Sequence, residues 1–208
     1  MKQRFLGIGA SLLLIAGTTL AEVKQNYSVD AARSKVEIHV YKEGVFKAFS
    51  HDHLIVAKEV SGAVQFDAEK IEQSTVRLQI PTRAITVIDP GESEKDRHDV
   101  QTTMEGDKVL DVAKFPEIIF TSSGVSAAKK TPGGWEATLS GNLKLHGVEK
   151  SISFPLRVHA EAGELRGEGE VFVLQIDYGI TPVKVAGGSV KVKDKLKISF
   201  DIVARKEQ

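Results

Sequence analysis

A chain of 208 residues with 28 basic and 28 acidic side chains is electrically balanced, and lacks the net positive charge expected of a nucleic-acid partner. It has no cysteine, so no disulfide framework, thiol nucleophile or lipid-bearing cysteine is available, and the core must supply the stability. A length of this order fits one all-β domain.

Lys2 and Arg4 open the chain as a positive region, followed by an apolar run from Phe5 to Ala16 and mostly small residues from Gly17 to Ala21, ahead of Glu22. A transmembrane anchor is the alternative, but the run is shorter than the roughly 20 residues a bilayer span requires. Residues 1–21 are therefore expected to be a cleaved signal peptide and residues 22–208 a single periplasmic domain without an integral membrane segment.

Beyond that leader, apolar and polar residues alternate with the period of a half-buried strand. Val36, Ile38 and Val40 share one face, with His39 on the other. Then comes Ser50-His51-Asp52-His53-Leu54, where His51 and His53 would point the same way about 6.6 Å apart, a spacing at which both imidazoles reach one metal ion. Two ligands do not make a site, and hydrogen bonding to nearby backbone is the plainer reading of these histidines. Val64 with Phe66, then Val76, Leu78 and Ile80, continue the alternation.

From Glu92 to Lys114 the rhythm stops, and charged residues and helix formers predict one or two short helices, with Asp107 as a cap. Glu92, Glu94, Asp96 and Asp99, near Arg97 and His98, read as a solvated helix face. Ile118 and Phe120 resume the strands after Pro116.

The clearest pattern lies between Leu139 and Ala160. Leu139, Leu143 and Leu145 alternate with polar residues, as do Ile152, Phe154, Leu156 and Val158, and His146-Gly147-Val148-Glu149-Lys150 reads as the turn between them. Val171 with Val173, and Leu196 through Ile202, complete about eight strands, enough for a closed antiparallel barrel that holds side chains or one small ligand. A two-sheet sandwich is the other architecture with this signature. Ala63, Gly141, Gly167 and Gly169 interrupt the strands and leave room inside, although such glycines also mark bulges and corners.

No Gly-x-Ser-x-Gly elbow is present, and Ser50 and Ser61 read as ordinary turn or strand residues. Catalysis and a cofactor are not expected. The inward residues Val36, Ile38, Val40, Phe66, Leu78, Ile118, Phe120, Leu143, Leu145, Phe154 and Leu156 are candidates to hold a long apolar chain by area. His51, His53 and His98 are candidates to orient its head group.

Several segments together resemble the YceI-like family of bacterial periplasmic polyisoprenoid-binding proteins. They include Tyr27-Ser28-Val29-Asp30 with Ser34-Lys35-Val36, Gly62-Ala63-Val64-Gln65-Phe66-Asp67, Arg97-His98 and Leu110-Asp111-Val112. Phe115-Pro116-Glu117-Ile118-Ile119-Phe120-Thr121-Ser122, the run from Gly141 to Lys150, and Asp177-Tyr178-Gly179-Ile180 follow in the same order. The resemblance implies an extended eight-stranded lipocalin-like barrel whose tunnel holds a polyisoprenoid or another long-chain amphiphile, such as a quinone or fatty amide. The chain departs from the family at His51-Asp52-His53, where many members carry glycine, and at Gln175, where arginine is common. A metal- or haem-associated protein using His51 and His53 is the second reading, and a structural module with a packed interior the third.

Overall fold

The computed structural model describes residues 24–44, 52–185 and 190–207; the expected signal peptide, Ser50, His51 and residues 186–189 lie outside these. Among the described residues the strands are β1 (Gln25–Val29), β2 (Lys35–Val40), β3 (Lys42–Gly44), β4 (His53–Ala57), β5 (Ser61–Phe66), β6 (Thr75–Pro81) and β7 (Ile85–Val87). Helix α1 (Glu94–Glu105) follows, then β8 (Glu117–Thr131), β9 (Gly134–Leu145), β10 (Val148–Glu161), β11 (Glu164–Leu174), β12 (Lys184–Val185), β13 (Val190–Val192) and β14 (Lys195–Lys206).

Eight antiparallel strands close into a ring in the order β1-β5-β6-β8-β9-β10-β11-β14 and back to β1, which excludes the sandwich. β14 serves two partners in succession. Lys197 to Asp201 pair with His39 to Lys35 of β2, and Ala204 to Lys206 pair with Val29 to Tyr27 of β1. β4 and β7 then extend the wall beyond β2 at that end of the barrel.

Ser34 makes the change of partner possible. Its hydroxyl donates to Asp30 O at 2.8 Å and accepts from Val203 N at 3.0 Å, filling the ladder position that the β1–β2 turn leaves open. Asp30 N in turn donates to Val203 O at 2.8 Å.

The inward faces follow the alternation. On β9, Ala137, Leu139, Leu143 and Leu145 are buried, while Lys144 on the opposite face is exposed. The β9–β10 turn is shorter than the sequence suggests. Val148 already pairs with Leu145, so His146 and Gly147 alone make a two-residue turn with both φ positive, 50° and 76°. A Cβ on Gly147 would lie 2.4 Å from Phe115 Cε1, so the turn also needs its bare backbone for packing.

The helical region is a single helix, and its cap is Ser93, whose hydroxyl accepts from Asp96 N at 3.1 Å. Asp107 caps nothing; it sits among turns that lead to Phe115-Pro116. Gln101 stitches α1 to the edge strand β7, accepting from Val87 N and donating to Ile85 O, both at 2.9 Å. This covers an edge that would otherwise present unpaired backbone.

Candidate functional site

The ring encloses a cavity of about 540 Å³, inside the span of about 300–1,000 Å³ common for small-molecule sites. Its wall includes all eleven apolar candidates: Val36, Ile38, Val40, Phe66, Leu78, Ile118, Phe120, Leu143, Leu145, Phe154 and Leu156. One end is covered by Phe66 and Ile71, with Leu165 and Ala204 beside them. Trp135 backs that end, its ring 5.4 Å from Phe66 in an edge-on contact.

At the waist the rings of Phe120, Phe154 and Phe200 follow one another at 5.7 and 5.4 Å. The strand glycines do not leave simple vacancies there. A Cβ on Gly141 would meet Phe120 Cζ at 2.5 Å, and one on Gly169 would meet Phe200 Cζ at 2.7 Å, so each glycine seats a neighbouring phenylalanine. Gly167 alone of the three borders the cavity, and Ala63 faces outward.

Polar groups collect at the other end, here called the mouth. His53, Lys42, Asp99, Thr103, Gln175 and Lys191 border the cavity there, and α1 adds Val100 and Met104. His53 Nδ1 donates to Asp89 Oδ2 at 2.5 Å, and the second oxygen of that carboxylate accepts from Leu54 N at 2.5 Å. Asp89 is 3% exposed, so this buried carboxylate fixes both the ring plane and the tautomer of His53. The His53 side chain also borders the cavity.

Gln175, 5% exposed, donates to Lys193 O at 2.9 Å and presents an uncharged side chain to the mouth. Lys191 is tied to Glu43 at 2.6 Å, and that hydrogen bond holds the Glu43 carboxyl below its usual range. Further back, His146 Nδ1 donates to Tyr178 O at 3.1 Å, while Tyr178 Oη is buried without a partner among the described residues. Burial, with the Asp177 charge adding, pushes the Tyr178 phenol above its ordinary range.

His98 stands on α1 exposed to solvent and outside the cavity wall, and His51 lies outside the described residues. His39 faces away from the cavity, its Nε2 3.4 Å from Ser199 Oγ. Among the described residues no three His, Cys, Asp or Glu side chains are grouped to hold a metal ion. Asp89 and the α1 contributors to the wall were missed in the sequence. The signal for α1 was present in Val100 and Met104 at i and i+4, one helical face.

Fold and site together define an antiparallel barrel built around an apolar internal cavity with a polar mouth. Residues 27–204 match the YceI-like domain, and the chain belongs to that family. It is 29% identical over 200 residues to a UPF0312 protein of Pseudomonas savastanoi pv. phaseolicola, covering 93% of this chain and 96% of that one. It is also 29% identical over 195 residues to Protein YceI of Salmonella newport, covering 87% and 88%. Among solved structures it resembles Burkholderia cenocepacia BcnA, with a TM-score of 0.66, 21% identity, and 84% of this chain and 98% of that one covered. A polyisoprenoid binding domain from Saccharophagus degradans superposes with a TM-score of 0.63 at 18% identity, covering 88% and 100%.

Proposed function

We propose that the protein is a non-enzymatic periplasmic carrier that sequesters a long-chain amphiphile, of the polyisoprenoid, quinone or fatty-amide kind, inside the barrel. The observation that carries this reading is the cavity, its wall mostly apolar and most of its polar lining gathered at the His53 end. Burial of an alkyl or prenyl chain contributes up to about 0.8 kcal/mol per CH₂ before ordering costs, so a modest length held against this wall suffices for tight binding. The polyisoprenoid binding domain of Saccharophagus degradans, similar in fold, supports the same class of ligand.

At the mouth, His53, held through Nδ1 by Asp89, and the uncharged Gln175 are the side chains assigned to orient a polar head group by hydrogen bonding. Replacing His53 with alanine is expected to weaken binding by about three- to tenfold, the worth of one hydrogen bond.

Native mass spectrometry of protein purified from its own host, followed by organic extraction, tests the carrier directly. The expected result is a polypeptide beginning at Glu22 that carries a lipid-like mass released into solvent. Empty protein that also refuses every prenyl and acyl probe would sink the proposal.

A further inference from the structure

Among the described residues the large apolar side chains left exposed are Phe172, Leu174 and Ile176, at 51%, 38% and 59%. They are not scattered. They occupy alternate positions on the outward face of β11 and the turn that follows it, at the mouth end of the barrel. The residues between them, Val173 and Gln175, point inward and border the cavity.

Across the ladder Phe172 pairs with Lys197 and Leu174 with Lys195, and the Lys195 ammonium lies 4.1 Å from the Phe172 ring centre. From Lys184 to Lys197 the chain carries five lysines and one acidic residue, Asp194. The Asp194 carboxylate is engaged in accepting from Ile176 N at 2.9 Å. Of these lysines Lys197 is paired with Glu170 at 2.7 Å and Lys191 with Glu43 at 2.6 Å, so the apolar stripe beside the cavity mouth is bordered by a cationic segment in which those two also have acidic partners.

We propose that this face docks the barrel mouth onto an anionic lipid bilayer, the three apolar side chains entering the headgroup boundary while the lysines meet lipid phosphates. Two features favour a bilayer over a second copy of the chain. Three side chains fall far short of the roughly 800 Å² per partner that a stable dimer buries. A two-fold contact through the stripe would also bring the lysine-rich segment of one copy close to that of the other. The proposal rests on the exposed face and not on what the cavity holds.

Co-sedimentation with phosphatidylcholine vesicles, with and without phosphatidylglycerol, reads the docking. Binding is expected to need phosphatidylglycerol and to fall as salt is added. Phe172→Ser, Leu174→Ser and Ile176→Ser together should lower the partition coefficient by about tenfold or more. Lys195→Gln with Lys197→Gln should abolish the preference for phosphatidylglycerol. Thermal unfolding reports the fold of both variants independently, so docking is tested whether or not a prenyl probe binds. Absence of binding by the unaltered protein, or binding that the triple variant retains, overturns the proposal. A concentration-dependent dimer lost in the triple variant assigns the face to a second copy and overturns it equally.

Discussion

Tyr178 is 2% exposed, and its hydroxyl has no partner among the described residues, a costly arrangement at a position held on all sides. Its phenol is raised above the ordinary value of 10.0, so the sign of the pH effect follows. Below about pH 10 folded and unfolded chains both keep the proton and the stability is fully present; above it the unfolded chain ionises first, and stability falls as pH rises. Tyr178→Phe should flatten that alkaline loss in urea titrations. Near neutral pH it should leave the protein within about 1 kcal/mol of its stability, on the stabilising side. Tyr178 was legible as part of a family motif, but the burial of its hydroxyl was not, because that depends on the turn packing under β10. His53 was likewise legible as a polar group for the mouth. Asp89 was not, since it lies 36 residues away and only the pairing of β4 with β7 brings it close.

The strands show where alternation is informative and where it stops. It assigned the inward faces of β9 and β10 because those strands are 12 and 14 residues long and one-sided, whereas on β14 the consecutive Ile202, Val203 and Ala204 are all buried and alternation stops. β3, β4 and β7 have three to five residues each, too few for a period to stand out, and their pairing is set by neighbours. Strand glycines carry a similar lesson, since spare interior space and a seat for a neighbouring ring look the same in one dimension. Gly141→Ala should cost about 1–3 kcal/mol in chemical denaturation, because the new Cβ would meet both the Phe120 ring and Thr121 O at 2.5 Å. Gly167→Ala should be close to neutral by comparison, its Cβ arriving at an ordinary 3.5 Å from Leu156 Cδ1.

For the whole molecule, the position of Gly167 near the covered end of the cavity offers a measure of depth. Gly167→Leu should cut binding of long prenyl chains by about 15- to 60-fold, the worth of two or three excluded methylenes, and leave short chains unaffected. Fluorescence titration with a series of prenyl alcohols checks this; an equal loss for every length would mean that chains do not enter from the His53 end. The closed ring itself followed from counting strands, but the double duty of β14 did not, since the two partners that share one of its edges, β1 and β2, are near the other end of the sequence. That arrangement governs how the chain acquires its shape. Until Lys195–Lys206 has been synthesised, β1, β2 and β11 each lack a neighbour, and the apolar interior is open along a seam. The step that seals it joins Tyr27 to Lys206, a loop of nearly the whole chain, so folding is expected to be slow and late rather than progressive. Before that step the chain can be at most an unsealed sheet, and its exposure to aggregation ends when one last strand docks on both sides.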